Sequence, residues 1–432
     1  MISHGRRRFL TTLVGGVAAT AAAPGAHGSS IPVGRSLAGL RRSLKSSDPA
    51  DEKYWELVKE QFSLRPGLIL MNAANLCPSP YVVVDAVSRL TGDVDADASF
   101  QNRAKFTGLR EAGRQTLAAY LGADPDEIAI TRNTSEGNNT VVNGLTLGSG
   151  DEVAIWNQNH PTNNVSWDVR SERYGFTVVR VSTPASPQSS DDLIRVFADA
   201  LTPRTRVLSF SHVSNVSGVA LPAKQLCALA RERGILTLVD GAQTFGAVRV
   251  SLHDIGCDFY TGSAHKWFVG PKEAGILYVR RGQIDNLWPS DVGVGWDAAL
   301  LHGAQKFENL GQRDDAAVAA MGTAADFHNT IGIDQVEERV RALAERVKTS
   351  VAERLPNAHF FTPRERGLSA GVVVFAIPGV ATSDLYSALY GEHDIGCAAM
   401  HDEFEGLRIS PHIYNTMEQV DRVVDAIARL TS

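Results

Sequence analysis

Between residues 127 and 279, short apolar runs alternate with stretches of helical spacing. The runs fall at 128–130, 153–156, 177–181, 207–210, 235–239 and 275–279, with a further short extended segment at 259–261. Helices are predicted between them, among others at 192–201 and 223–233. Such alternation predicts a mainly parallel sheet with helices on both faces. After 279 the sheet pattern stops. A long helical stretch over about 316–355 leads to a second region, with strands at 372–375 and 407–409 and a last helix from about 417 to 430. Upstream, Tyr54, Leu57, Val58 and Phe62 have helical spacing within 51–62. The apolar run 68–71 then breaks into Asn72-Ala73-Ala74-Asn75. The expectation is an α/β fold with a large domain at 72–315 and a smaller α+β domain built from 51–71 and 316–432.

Residues 1–28 stand outside this pattern. Arg6-Arg7-Arg8-Phe9-Leu10, a moderately apolar 10–23 and the small residues Ala26-His27-Gly28 resemble a twin-arginine export signal. An ordinary secretory signal or a basic tail is the alternative. The twin-arginine reading implies a periplasmic or secreted protein and the export machinery as a partner. The Ser- and Arg-rich stretch 29–50 reads as a mobile linker.

Composition narrows the classes. The chain has 432 residues, 44% of them hydrophobic, enough to bury a large core. A net charge of −6 gives no electrostatic case for nucleic acid. No apolar stretch beyond the leader approaches a membrane span. The four cysteines, Cys77, Cys227, Cys257 and Cys397, are far apart and show no metal-ligand spacing. No metal site and no disulfide framework is predicted, although export leaves one or two bridges open.

Candidate chemistry centres on residues 235–270. The run 235–239 ends in Asp240, where a buried strand would stop. The segment 259–261 leads through Ser263 and His265 to Lys266, which is followed by Trp267, Phe268, Gly270 and Pro271. Such neighbours desolvate an amine, lower its pKa and make it a Schiff-base former. Lys266 and Asp240 are then the two handles of pyridoxal 5'-phosphate, one for its aldehyde and one for its pyridinium nitrogen. Taken singly, each is as well read as a surface lysine or a turn aspartate. Ligands of parallel sheets sit outside the carboxyl ends of the strands. One such end is Thr131-Arg132-Asn133-Thr134-Ser135-Glu136, where a Thr or Ser cap would open a helix. Its free N–H groups make a phosphate seat, with Ser135 and the N–H of Glu136 as ligands, or else an ordinary N-cap. His160 lies at another strand end, where a planar ring can stack on a cofactor or simply face solvent.

The segments Asp240-Gly-Ala-Gln243, Ser263-Ala-His265-Lys266 and Gly270-Pro271-Lys272-Glu273-Ala274-Gly275 resemble the class V aminotransferase group of fold-type I pyridoxal phosphate enzymes. The resemblance spans about 72–431. It implies a seven-stranded type of main sheet, the cofactor, and a homodimer with shared sites. It also implies that Ser263 and His265 complete the phosphate cradle and that His160 stacks on the ring. Asn215 and Gln243 would bond the phenolic oxygen. Asn72 and Ala73 would line the substrate-carboxylate pocket, and Arg408 would bind that carboxylate through two parallel hydrogen bonds. Gln312, where the family carries Thr, would reach the phosphate of the neighbouring subunit.

Ile409-Ser410-Pro411-His412-Ile413-Tyr414-Asn415-Thr416 and His160-Pro161-Thr162-Asn163 resemble the isopenicillin N epimerase branch of that group. The branch includes periplasmic enzymes that tailor the pyoverdine siderophore, which the leader fits. Also, a twin-arginine route exports folded protein, as an enzyme loaded with a cytoplasmic cofactor requires. The expected reaction is at Cα of an amino acid or amino-acid moiety, with Lys266 as proton shuttle. Epimerisation is one form. Transamination or oxidative decarboxylation of a secreted peptide is the other. A cysteine desulfurase needs a loop cysteine a little over a dozen residues before the arginine. That cysteine follows an Arg-Thr-Gly segment; here Ala398 falls where the Arg would be, so Cys397 stands too early relative to that segment, in the predicted strand region, and reads as a packing residue. Desulfuration or C–S lysis is the lesser alternative.

Overall fold

Seven strands form the main sheet: Ile128–Thr131 (β1), Glu152–Trp156 (β2), Thr177–Val181 (β3), Thr205–Ser211 (β4), Leu236–Asp240 (β5), Phe259–Ser263 (β6) and Gly275–Val279 (β7). Their order is β1-β7-β6-β5-β4-β2-β3. β3, β2, β4, β5 and β6 pair in parallel, while β7 runs antiparallel between β6 and β1. That single reversal leaves β1 pointing the same way as β6, so the carboxyl ends of six strands share one edge. The structure, a computed structural model, describes residues 36–184, 187–296 and 300–431. The leader 1–28 and residues 29–35 of the linker lie outside them.

Side chains alternate between the two faces of a strand. Ile128, Ile130, Leu208, Phe210, Val239, Tyr260 and Tyr278 enter the largest apolar cluster. Their neighbours Ala129, Val207, Leu238, Phe259, Leu277 and Val279 enter another. Both faces are covered, which is why these strands read as continuous apolar runs. The segment 259–261 belongs to a full strand, β6.

A second, antiparallel sheet has the strands His359–Phe360 (β8), Val373–Ala376 (β9), Ala398–Met400 (β10) and Gly406–Ile409 (β11), in the order β10-β11-β9-β8. Phe375, Leu407 and Ile409 pack there with Val347 of the helix Ile333–Arg354 and with Val423 and Ile427 of the helix Met417–Leu430. Ile69–Leu70 pairs in parallel with Ile395–Gly396 and brings Met71 to the same cluster. Among the described residues no helix is long and apolar enough to cross a membrane.

Three expectations change. Within the expected mobile linker, Leu37–Lys45 is a helix that packs on the helix Asp315–Ile331. Leu40 and Leu44 are buried, and the Ser36 side chain accepts from Gly39 N–H. An i, i+4 apolar pair outweighs a Ser- and Arg-rich composition. The long helical stretch is two helices, Asp315–Ile331 and Ile333–Arg354, parted by Gly332 at φ 94°. Finally, Tyr54, Trp55 and Val58 of the helix Glu52–Lys59 bury in the largest cluster with the main sheet, rather than with the second sheet.

Candidate active site

Asp240 ends β5 and is 3% exposed. Its Oδ1 accepts from the N–H of Ala242 at 3.0 Å and its Oδ2 from Asn138 Nδ2 at 2.8 Å. Both donors are neutral, so the carboxylate charge is left to be matched by a cation. The adjacent Gly241 is required by space: a Cβ there would stand 2.0 Å from the Tyr260 ring.

Lys266 follows β6 and is half-buried. Burial pushes its amine down to about 8; the charge of Arg408 acts the same way, and Asp240 opposes both. These influences place Lys266, Asp240 and Arg408 in one electrostatic neighbourhood. His160 belongs to it too: burial lowers its pKa, and Lys266 and Arg408 add to that against Asp240. His160 N-caps the helix Pro161–Tyr174, its Nδ1 accepting from Thr162 N–H at 3.2 Å. With Nδ1 bonded in this way, the ring is oriented and neutral.

Arg408 lies on β11 and is 7% exposed. It donates from Nη1 to the Asn215 carbonyl at 3.0 Å and from Nη2 to Asn72 Oδ1 at 3.2 Å. Burial pushes its pKa down to about 10. Asn72 bridges to Ser410, and the N–H of buried Ala73 donates to the Ser410 carbonyl at 2.9 Å. Thus the three residues expected at the carboxylate pocket are joined in one hydrogen-bonded frame. Asn215 meets that frame through its backbone.

At the phosphate end, Ser263 terminates β6 and its Oγ lies 2.8 Å from both the N–H and the Oγ1 of Thr134. Ser135 is half-buried in the first turn of the helix Thr134–Gly144. The expected cap and one expected ligand need correction. Asn133, not Thr or Ser, is the N-cap, and its Oδ1 accepts from the Glu136 N–H at 2.9 Å. That donor is therefore engaged within the chain, because an Asn side chain reaches the third helical N–H. The Glu136 carboxylate turns back to the N–H of Arg132 at 2.5 Å. Gln243 is buried and donates from Nε2 to the Ala74 carbonyl at 3.0 Å, while its Oε1 accepts from Trp267 Nε1 at 2.8 Å. A primary amide keeps a second N–H for a ligand. Gln312 is exposed, accepts from Arg103 at 2.8 Å and donates to the Arg313 carbonyl. No hydrogen bond among the described residues ties it to the Lys266 neighbourhood, because its amide is spent on local partners.

Sequence reasoning missed Asn138, Thr134 and Thr261. Asn138 stands four residues after Thr134, on the helix face turned to the sheet, and its Oδ1 accepts from Thr261 Oγ1 at 2.8 Å. The i, i+4 spacing of two polar residues on a buried face was the available signal. A trio of possible metal ligands, Asp124, Glu127 and His253, lies elsewhere. Glu127 there accepts from the N–H groups of Asp124 and Arg281, which makes the trio part of a turn.

All four cysteines are buried and free. Burial pushes the Cys397 thiol up to about 12, and that residue lies between Ile395–Gly396 and β10.

Two features fit pyridoxal phosphate. One is the buried carboxylate matched only by neutral donors, facing a lysine of lowered pKa. The other is a pair of buried orphan nitrogens, His265 Nδ1 and Arg408 Nε, without partners among the described residues. Burial also pushes His265 down to about 4, which keeps it a neutral ligand.

Sheet order and site together define a fold-type I pyridoxal phosphate enzyme. The chain belongs to the aminotransferase class-V family, which it matches over residues 70–423. It is similar to isopenicillin N epimerase of Amycolatopsis lactamdurans, with 32% identity over 398 residues, 87% of this chain and 98% of that protein. It is also similar to a cysteine desulfurase of Serratia proteamaculans, with 30% identity covering 76% of this chain and 84% of the other. Its fold matches that of a C-DES variant solved with glycine covalently linked to its pyridoxal phosphate, at a TM-score of 0.79 and 22% identity, covering 86% and 98% of the two chains. Pyridoxal 5'-phosphate is the cofactor of this enzyme.

Proposed function

We propose that the protein acts at Cα of an amino acid or amino-acid moiety, in the manner of an isopenicillin N epimerase. The observation that carries this reading is Lys266, a buried amine of lowered pKa that feels the charges of both Asp240 and Arg408. When bound, pyridoxal phosphate makes the Cα proton acidic by accepting electron density into its ring. Asp240 would hold the ring nitrogen as a cation. Ser263, Ser135 and Thr134 would hold the phosphate at a helix N-terminus. His160 would cover one ring face, and Gln243 and Asn215 would bond the phenolic oxygen. Arg408 and Asn72 fix the substrate carboxylate, which orients the Cα–H bond. Lys266 Nζ takes the Cα proton and returns one. Return by Lys266 to the same face restores the substrate; epimerisation needs a proton delivered to the opposite face of Cα by a second acid or by solvent.

One observation weighs against sulfur transfer. Cys397 is buried among apolar residues, and its thiol is held in the protonated form, which is neither nucleophile nor acceptor.

A second reading follows from Arg6-Arg7-Arg8. Export of the folded enzyme to the periplasm fits transamination or oxidative decarboxylation of an amino-acid moiety on a secreted peptide siderophore. A homodimer suits either reading.

The test is incubation of the holoenzyme with L-amino acids and peptides in deuterated water. Exchange of Cα–H with inversion supports epimerisation. Keto acid with an amine form of the cofactor, or oxygen uptake with carbon dioxide, moves the assignment to the second reading. Sulfide from cysteine overturns both.

A further inference from the structure

We propose that His412 is a positioning residue that sets Lys266 through the backbone carbonyl of Trp267. His412 Nε2 lies 2.7 Å from the Trp267 oxygen, and the His412 side chain is fully buried. A carbonyl only accepts, so Nε2 carries the hydrogen and the ring is the Nε2–H tautomer. Its Nδ1 has no partner among the described residues. His328 does the same one residue on, with Nε2 3.1 Å from the Phe268 oxygen and its ring stacked on Phe268 at 4.9 Å and 4°. Two buried imidazoles therefore hold the two peptide carbonyls that follow the lysine.

That stretch has a reason to be held. Val269 has φ 48°, in the left-handed region that a β-branched residue avoids. Strain of this kind persists only where surrounding contacts enforce it. Those contacts are present. The N–H of Val269 donates to the Lys266 carbonyl at 3.0 Å and that of Gly270 to the Ala264 carbonyl at 2.7 Å. Trp267 is tied at its indole by Gln243.

His412 also belongs to the segment that carries Arg408. Ser410 N–H donates to the Met71 carbonyl at 2.8 Å, and the Ser410 hydroxyl accepts from Ala74 N–H at 3.2 Å. The substrate-carboxylate arginine and the lysine thus stand on one frame, joined by the His412 bond. A fixed distance between them serves orientation of the Cα–H bond rather than affinity. Burial pushes His412 down to about 3 and His328 to about 4, so both stay neutral donors in the working range. The pH response then belongs to Lys266 and the groups that face it: Asp240, Arg408, Cys77 and His160.

The inference rests on Lys266 as the cofactor lysine. The experiment uses the full-length apoenzyme and pyridoxal phosphate alone. The pH midpoint of cofactor capture is followed by the visible absorbance band, and amide hydrogen exchange is followed in the peptide 266–270. His412→Leu should move the midpoint and speed exchange about tenfold, the loss of roughly one net hydrogen bond. His412→Gln, whose amide can donate to the same carbonyl, should restore both. A folded His412→Leu with the wild-type midpoint and wild-type exchange overturns the proposal. A second measurement needs no variant: the nitrogen-15 spectrum of wild-type His412 should show a slowly exchanging Nε2–H. An Nδ1–H tautomer overturns the proposal as well. If the wild type itself captures no cofactor, the assignment of Lys266 fails, whatever His412 does.

Discussion

The Asn138 side chain joins two strands of the main sheet, donating to Asp240 Oδ2 on β5 and accepting from Thr261 on β6, both at 2.8 Å. The carboxylate is thereby fixed in rotation before any cofactor arrives. Asn138→Leu keeps the volume and removes the donor to a buried charge. We expect a stability loss of about 1.5–3 kcal/mol from that bond, read as a lower urea midpoint of the apoenzyme. Pyridoxal phosphate affinity should fall with it, because only the Ala242 N–H then holds Asp240 in place.

The strand ends and the lysine were legible because buried parallel strands leave continuous apolar runs, and Asp240, Ser263 and Lys266 follow such runs directly. Arg408 was found only through resemblance, since a short strand in a second sheet gives no period of its own. Asn138 escaped because a polar residue inside a helix looks like a solvated face until the sheet beneath it is known. The helix Leu37–Lys45 escaped for the opposite reason: its two buried leucines are set in a charged, Ser-rich stretch. The Glu136 N–H was misassigned because a capping side chain and a phosphate compete for the same donor, and spacing does not say which holds it.

Arg408 uses Nη1 on the Asn215 carbonyl and Nη2 on Asn72, and keeps a buried Nε without a partner. A planar fork can serve a carboxylate and retain its anchors, whereas a lysine ammonium makes one point contact. For Arg408→Lys we expect KM for an amino-acid substrate to rise about 10- to 100-fold, with a smaller change in kcat, the loss of about 1.5–3 kcal/mol in a charged hydrogen bond. An amine analogue lacking the carboxylate should bind wild type and variant alike. If the analogue loses affinity equally, Arg408 acts on packing and not on the carboxylate.

Cys397 separates the sulfur chemistry of the relatives from chemistry at Cα. It is 4% exposed and its thiol is pushed up to about 12. Cys397→Ala should leave turnover within about twofold, since a small packing residue is replaced by another. Loss of activity, together with sulfide release from cysteine by the wild type, would place sulfur transfer at this site.

Only the neutral form of Lys266 can attack the cofactor aldehyde, so capture of pyridoxal phosphate by the apoenzyme depends on the proton at Nζ. With the amine pushed down to about 8, it is mostly protonated below that pH and mostly neutral above it. The capture rate should therefore rise with pH and level off above about 8, far below the range of an ordinary lysine. The neighbours fix the direction of each variant. Asp240 favours the charged amine, so Asp240→Asn should move the midpoint to lower pH. Arg408 disfavours it, so Arg408→Leu should move the midpoint to higher pH. Stopped-flow absorbance across pH 6 to 10 reads all three proteins, on a scale where one pH unit is about 1.4 kcal/mol of interaction. No shift in either variant would mean that burial alone sets the amine, and that the charges of Asp240 and Arg408 do not act on it.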